Sequence, residues 1–158
     1  MILDLQEKFS GAVDALGVTT AQGPITATAI STNVLDARNG ATPALVDEGM
    51  LTGQFWWEVK VIQAFNNLTS LTITLESDVA STLASAPVVH ASVTVALAGL
   101  TANTTVVRLP MPSGDFKRYI GVRYTVNGAA PTAGTVLSHF VLDTQRNKIY
   151  PVGFTIDA

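Results

Sequence analysis

Residues 110–143 constrain the fold of this chain most strongly, because they combine turn signals with a long run of alternating polar and apolar residues. The apolar residues of this run fall in one phase of a two-residue period: Phe116, Ile120, Val122, Tyr124 and Val126. The opposite phase contains Lys117, Gly121, Arg123 and Thr125. This pattern is typical of a half-buried antiparallel strand. No nucleophile, acid–base pair or ligand cluster lies within the stretch, which indicates a scaffold that presents a surface.

A second alternating stretch, 54–65, also places its apolar residues in one phase: Phe55, Trp57, Val59, Val61 and Phe65. The pair Asn66-Asn67 then turns the chain into 68–76, so we expect a hairpin here. Further β-rich stretches occupy 25–35, 88–97, 104–109, 135–143 and 148–156. Frequent turn signals and the lack of a long helical period after residue 20 predict seven or eight strands. We therefore expect an all-β fold, an antiparallel β-sandwich of jelly-roll type.

The expected organisation is an N-terminal arm over 1–24 followed by a single β-sandwich domain over 25–158. The period of the sandwich predicts a core that includes Trp57, Val59, Val61, Ile73, Val93, Ile120 and Val122. In the arm, Ile2, Leu5 and Phe9 recur at helical spacing, which fits a short amphipathic helix or an extended arm packed on a neighbour. Gly11 and Gly17 weaken the helix. Ile2, Leu5 and Phe9 are thus candidate interface residues.

Charged residues are scarce in this chain. Of its 158 residues, 13% are charged and 47% are hydrophobic, whereas soluble domains average about 25% charged residues. We therefore expect neighbouring molecules to cover part of the surface, as in an oligomer or a larger assembly. The net charge of -3 provides no basic field for nucleic acid, so no nucleic-acid partner is expected.

Missing residue types and segments disfavour several other classes. The chain has no cysteine, which excludes disulfides, thiolate metal sites and cysteine nucleophiles. No run approaches the ~18 apolar residues that a membrane span needs. The opening residues also lack the basic and then apolar layout of a signal peptide. We expect a soluble protein, made in a cytoplasm and without a membrane partner.

Two groups of side chains are candidates for contact with a partner. Trp56 and Trp57 are adjacent, so a strand points them to opposite faces, with Trp57 in phase with the core. The outward Trp56 is then an interface anchor, a sugar-stacking platform or a residue covered by a loop. Lys117, Arg118 and Arg123 form the densest basic cluster, which suits either a solvated edge or an acidic partner surface.

The histidines and turn carboxylates favour structural roles. His90 shares its phase with Ser92 and Thr94 and is expected to be solvated, and His139 lies apart from it in sequence. Two isolated histidines are a weak metal signal. Four carboxylates lie in or beside turns, where they commonly bond to backbone amides: Asp36, Asp47, Glu48 and Asp78. Because no catalytic or nucleotide-binding motif occurs, we expect no metal, no cofactor and no enzymatic activity.

Several segments together resemble the Bbp16-like capsid cement (decoration) proteins of tailed bacteriophages. They are the opening Met-Ile-Leu-Asp-x-Gln-x-x-Phe-Ser of residues 1–10, Ile-Thr-Ala-Thr-Ala-Ile-Ser-Thr-Asn-Val-Leu-Asp at 25–36, Phe-Lys-Arg-Tyr-Ile-Gly-Val-Arg-Tyr-Thr-Val-Asn-Gly at 116–128, and Thr-Ala-Gly at 132–134. The resemblance extends to about Asp143 and rests on the order and joint occurrence of these segments.

The resemblance implies a small jelly-roll-like protein on the outer capsid surface of a virion, made in the bacterial host cytoplasm. Such a protein would bridge major capsid protein subunits as a homo-oligomer, a dimer or a trimer, and would stabilise the shell. It implies no catalytic residues. An alternative that the residues leave open is a carbohydrate-binding β-sandwich module for host recognition, with Trp56 as the sugar platform.

Overall fold

The structure, a computed structural model, describes residues 8–13, 19–37 and 56–141. Eleven strands lie within these ranges: β1 (Lys8–Ser10), β2 (Ala12–Val13), β3 (Thr19–Thr20), β4 (Ala29–Ile30), β5 (Leu35–Asp36), β6 (Trp56–Gln63), β7 (Leu68–Asp78), β8 (Val88–Ala96), β9 (Thr105–Pro110), β10 (Tyr119–Gly128) and β11 (Thr135–Val141). A short 3₁₀ helix, Leu97–Gly99, follows β8. The described strand pairs are antiparallel.

The long strands form two sheets that pack face to face. Sheet I has the order β1-β11-β6-β9. Sheet II has the order β4-β10-β7-β8, and β5 pairs with β10 beside β4. The short strands β2 and β3 pair with each other. The apolar phases of both sheets meet between them and form one hydrophobic core.

The strand pairs are nested along the chain. β7 pairs with β8, β6 with β9, β4 and β5 with β10, and β1 with β11. The chain therefore folds back on itself about the loop 79–87, and successive pairs alternate between sheet II and sheet I. This arrangement is the topology of a jelly roll, in which two packed sheets share one rolled-up hairpin. The predicted all-β jelly-roll sandwich is confirmed.

The core follows the predicted alternation closely. Six of the predicted core residues are buried: Trp57, Val59, Val61, Ile73, Ile120 and Val122. Val93 is only half-buried, because β8 is an edge strand of sheet II. Phe9 of β1 also enters the core, where its ring meets the edge of Phe140 at 4.8 Å between centroids.

Buried hydroxyl groups join the two sheets inside the core. The Tyr124 hydroxyl of sheet II lies 2.5 Å from Ser10 Oγ of sheet I. On sheet I, Trp57 Nε1 donates to Ser138 Oγ at 3.1 Å. Burial raises the pKa of Tyr124, and its hydrogen bonds with Ser10 and Ser138 offset only part of that rise. These polar atoms are satisfied within the core, as buried polar groups must be.

The predicted hairpin at Asn66-Asn67 is wrong. β6 belongs to sheet I and β7 to sheet II, so this turn carries the chain from one sheet to the other. Asn67 adopts a positive φ of 65°, and Asn66 Oδ1 accepts a hydrogen bond from Thr132 N–H at 2.8 Å. Alternation places residues on faces but does not distinguish a turn within a sheet from a crossing between sheets.

The described part of the N-terminal segment is extended. Lys8–Ser10 pairs with β11 at the edge of sheet I, which corresponds to the extended alternative rather than the helix. Ile2 and Leu5 lie outside the described residues, as do Phe55, Asp47, Glu48 and the expected strand at 148–156. The expected strand at 25–35 is broken into β4 and β5.

β8 departs from the predicted phase at its start. Ala91 pairs with Leu75, but the next residue of β7, Glu76, pairs with Val89. His90 is therefore the extra residue of a β-bulge, which reverses the faces of the residues that precede it. Val89, which shares its sequence phase with the predicted core residue Val93, is 52% exposed. His90, expected to be solvated, is half-buried.

Candidate functional site: the valine end

Exposed apolar side chains collect at the end of the sandwich where β7 ends and β8 begins. Val79, Val88 and Val89 are 61%, 41% and 52% exposed. The loop 111–118 connects β9 to β10 at the same end. We name this surface, made of Val79, Val88, Val89 and the loop 111–118, the valine end. An exposed apolar cluster of this kind commonly marks an interaction site.

An open cavity of about 690 Å³ lies within the valine end. Its lining residues are Val79, Val88, His90, Gly114, Asp115, Phe116, Lys117 and Arg118. Valine and phenylalanine side chains supply its apolar surface, and the basic side chains flank it. A cavity of this size and character can accept an apolar side chain or a short segment from another molecule.

His90 and Phe116 form the floor between β8 and the loop 111–118. Their rings stack with centroids 3.7 Å apart. His90 Nε2 lies 2.7 Å from Ser77 Oγ, which also accepts a hydrogen bond from Lys117 N–H at 3.0 Å. Burial lowers the pKa of His90. Ser77 is fully buried, so this serine–histidine pair positions the loop and offers no accessible nucleophile.

Asp78 holds the loop 79–87, which links β7 to β8. Its carboxylate accepts hydrogen bonds from the amides of Val79 at 2.6 Å, Ser85 at 2.8 Å and Ala86 at 3.2 Å. Burial raises the pKa of Asp78, but the hydrogen bonds from Ser85, Ala86 and Val79 outweigh burial and leave the pKa below its ordinary value. The predicted role of Asp78 as a turn carboxylate is confirmed.

Arg123 fastens the same loop to the outer face of sheet II. It pairs with Glu76 at 2.9 Å and donates from Nη2 to the Leu83 carbonyl at 2.5 Å. Leu83 itself is fully buried and lies over Gly121, where an added Cβ would come within 2.7 Å of Leu83 Cδ1. Glycine at this position thus leaves room for the loop to pack on the sheet. The structure gives Arg123 two partners within its own chain.

Lys117 and Arg118 flank the cavity, and both also have partners within the chain. Lys117 Nζ donates to the Ala86 carbonyl. Arg118 binds the Asp36 carboxylate through Nε at 2.9 Å and Nη2 at 2.7 Å, and its guanidinium lies 4.8 Å from the centre of the Tyr119 ring. Hydrogen bonding to Asp36 raises the pKa of Arg118. This ion pair remains exposed, so Arg118 is accessible to a partner.

Trp56 lies toward the same end of the sandwich. It begins β6 opposite Pro110, which ends β9 and leads into the loop 111–118. Trp56 is half-buried, in the outward phase predicted for it. Phe9, in contrast, is 1% exposed and contacts the core of its own chain. The structure therefore brings Trp56, Lys117 and Arg118 to one end of the molecule. Arg123 lies on the outer face of sheet II and holds the loop 79–87 of the same end, whereas Phe9 is buried in the core.

A row of ionisable side chains crosses the outer face of sheet I. In register, Lys8 faces His139, His139 faces Glu58, and Glu58 faces Arg108. Lys8 and His139 are each 2% exposed. Lys8 Nζ donates to the Ala12 carbonyl at 2.8 Å, and Arg108 pairs with Glu58 at 2.9 Å. Among the residues that the structure describes, neither ring nitrogen of His139 has a hydrogen-bond partner.

Burial disfavours the protonated forms of Lys8 and His139 in this row of side chains. Burial lowers the pKa of Lys8. Burial also lowers the pKa of His139; the Glu58 carboxylate raises it and the Lys8 ammonium lowers it further. Burial therefore favours the neutral form of the His139 imidazole, which lies between Lys8 and Glu58.

Sequence reasoning missed most of these features, for physical reasons. The valine end depends on the bulge at His90, and no residue type announces a bulge. The row on sheet I needs the register of four strands, which a single strand pattern does not give. Adjacent apolar residues at 88 and 89, directly after Pro87, break the alternation of β8. This break in the alternation is the sequence signal that could have indicated an exposed apolar surface at Val88 and Val89.

Within 8–13, 19–37 and 56–141, no group of three histidine, aspartate or glutamate side chains could hold a metal ion. The helices found in those same ranges are too short to cross a membrane.

Comparison with known families agrees with this architecture. The family model of Bbp16 matches residues 18–140, which run from just before β3 to the penultimate residue of β11. The chain belongs to the Bbp16 family. Bbp16 is a phage-related family, and membership indicates a phage-associated structural protein. A comparison with curated proteins finds no match.

Proposed function

We propose that this member of the Bbp16 family is a capsid cement, or decoration, protein. It binds the outer surface of a bacteriophage shell, bridges neighbouring major capsid protein subunits and stabilises the shell against opening. The observation that carries the proposal is the family match over 18–140, which covers nearly the whole jelly roll. The protein is made in the cytoplasm of the bacterial host and acts on the virion surface.

The valine end is the surface that we assign to the shell. Val79 and Val88 are exposed beside a cavity lined by further apolar groups. Covering their exposed area would contribute about 1 kcal/mol for each valine, given roughly 1.5–3 kcal/mol for full burial of an apolar side chain. Contacts of this size, repeated over the many copies on a shell, stabilise it by linkage, because opening the shell must also break them.

Charged groups around the cavity would orient the protein on the capsid surface. Lys117 and Arg118 lie on its rim, and the Arg118–Asp36 pair is exposed enough to rearrange toward a partner. Such rim charges set the orientation and the rate of association more than the affinity. An acidic side chain on the capsid protein would complement Lys117.

The chemistry of the valine end suits binding rather than bond-making. His90, Asp115 and Lys117 line the cavity, but the Ser77 hydroxyl that contacts His90 is fully buried. A sugar site needs an open aromatic face and several polar groups. At this cavity one face of Phe116 is covered by His90, and valines line the walls, so we prefer a protein partner.

Cosedimentation of the full-length protein with empty shells of the phage's major capsid protein tests the proposal. We expect the wild type to sediment with shells and to raise their melting temperature. Val79→Glu and Val88→Glu place charges on the valine end, and each should weaken binding about tenfold, since an unpaired carboxylate would have to be covered.

Ala129→Glu is the matched control, because Ala129 is exposed in the loop after β10, at the opposite end of the sandwich. It should bind shells as the wild type does. If wild-type protein does not bind shells at all, the cement function is wrong. If all variants bind equally, the function stands and the valine end is not the contact surface.

A further inference from the structure

The two nitrogens of the His90 ring have different surroundings. Nε2 lies 2.7 Å from the hydroxyl oxygen of Ser77, which is fully buried. In the part of the chain that the structure describes, His90 forms its hydrogen bond through Nε2 alone. The other nitrogen, Nδ1, lies against Gly114 in the lining of the cavity. The ring therefore connects a buried serine to the cavity of the valine end.

The contacts of Ser77 determine which nitrogen of His90 carries the proton. Ser77 Oγ accepts a hydrogen bond from Lys117 N–H at 3.0 Å, and a hydroxyl group has a single hydrogen to donate. If His90 Nε2 also donated to Ser77, that hydrogen would have no acceptor among the described residues, at a fully buried position. Both groups are satisfied when Ser77 donates to Nε2. The neutral imidazole then carries its proton on Nδ1.

Nδ1–H is thus a hydrogen-bond donor in the lining of a mostly apolar cavity. Gly114 leaves it open, because a Cβ atom at this position would lie 3.6 Å from Nδ1 and would cover it. Val79 and Val88 line the same cavity. A partner that covers an N–H group without offering an acceptor loses binding free energy. The occupant of the cavity must therefore carry an acceptor oxygen beside its apolar part.

The charged groups of the lining distinguish a neutral acceptor from an ionised one. Lys117 donates to the Ala86 carbonyl, which occupies one of the three hydrogens of its ammonium group. Arg118 also lines the cavity and has further N–H groups beyond those that bind Asp36. A carboxylate accepts several hydrogen bonds at once, and those from charged donors are the stronger ones. The exposed Asp115 lines the same cavity and opposes an anionic occupant.

We propose that His90 is the specificity-determining residue of the valine end, and that its Nδ1–H donates to a carboxylate carried by an apolar segment of the major capsid protein. Lys117 supplies the opposite charge from the rim of the cavity. The identity of the partner rests on the proposed function. The chemistry of the cavity does not, because it can be measured on the isolated protein.

Nitrogen-15 NMR of the histidine rings tests the proposal without a shell. Above the pKa of His90, we expect a protonated Nδ1 and an unprotonated Nε2. Isovalerate and isovaleramide are then titrated as probes, since they share an apolar chain and differ in carboxylate and amide. Isovalerate should shift the signals of His90 and of the Val79 and Val88 methyl groups further. A protonated Nε2, or isovalerate shifts no larger than those of isovaleramide, would overturn the proposal.

Two substitutions of His90 separate the donor in the cavity from the contact with Ser77. The amide of His90→Asn reaches the place of Nδ1, whereas the longer His90→Gln reaches the place of Nε2 and leaves no donor at Nδ1. In cosedimentation with shells, His90→Gln should bind about tenfold more weakly than the wild type, the effect of one lost hydrogen bond to a charged group. His90→Asn should bind more tightly than His90→Gln. Equal binding by the two variants would show that the partner does not recognise Nδ1–H.

Asp115→Asn tests the charge of the occupant and leaves His90 in place. Because it removes a negative charge from the lining, it should tighten the binding of isovalerate and of shells severalfold. An unchanged affinity for isovalerate would contradict the carboxylate. If the wild type binds isovalerate as expected but does not bind shells, the proposed function fails and the assignment of His90 stands.

Discussion

The interior of the sandwich and the valine end are held by different kinds of interaction. In the interior, burial follows a two-residue period, and Trp57, Ile73 and Val122 are all fully buried. At the valine end, Asp78 and Arg123 hold the loop 79–87 by hydrogen bonds to backbone groups. The interior therefore depends on apolar area distributed over two sheets, whereas the end depends on a few polar contacts. Substitutions in the two regions should fail in different ways.

The largest effect is expected in the interior. Trp57→Ala removes a fully buried indole and its hydrogen bond to Ser138, and should lower the free energy of unfolding by about 3–5 kcal/mol. Denaturant unfolding followed by circular dichroism measures this loss. Trp57→Phe keeps most of the ring volume and should lose less. If Trp57→Ala lost less free energy of unfolding than Trp57→Phe, packing of the Trp57 side chain would not be what stabilises the core.

The interior was predictable because its signal is local. A strand buried on one face must alternate, and Trp57, Val61, Ile120 and Val122 needed no knowledge of their partners. The jelly-roll class followed from the number of strands and turns. The alternation did not show which strands pair with each other. It placed 56–65 and 68–76 on the correct faces but predicted a hairpin between them, whereas the two strands lie in different sheets.

The valine end was unpredictable for a related reason. Its lysine and arginine side chains were recognised as a cluster, yet their partners Asp36, Glu76 and the Ala86 carbonyl lie between 31 and 82 residues away in sequence. Contacts over such separations follow from the complete topology. The same holds for the bulge at His90, which exposes Val89 against its sequence phase.

A smaller and local effect is expected from Asp78→Ala. This change removes the acceptor for the amides of Val79, Ser85 and Ala86. The loop 79–87 should become sensitive to limited proteolysis, while the melting temperature falls less than in Trp57→Ala. Asp78→Asn keeps one oxygen acceptor and should be intermediate. If Asp78→Ala destabilised the whole protein as strongly as Trp57→Ala, the valine end and the interior would not be independent in stability.

The smallest effect is a dependence of stability on pH that originates at His139 in sheet I. Burial lowers the pKa of His139 below its ordinary value of 6.5, so the unfolded chain binds a proton more readily than the folded chain. Stability is therefore fully present above pH 6.5 and is lost as the pH falls from there toward the folded-state pKa. The loss is at most about 1.4 kcal/mol for each pH unit.

His139→Leu should flatten this dependence. Because neither ring nitrogen has a hydrogen-bond partner among the described residues, the substitution leaves no described group unpaired, and stability at neutral pH should be preserved. Melting temperatures of both proteins between about pH 7.5 and 5.5 measure the difference. His90, whose pKa is also lowered by burial, is retained in the variant and contributes the slope that remains. If the wild type and His139→Leu lose stability in parallel on acidification, His139 is not the group whose protonation destabilises the fold. The proton would then be taken up elsewhere, at His90 in the valine end.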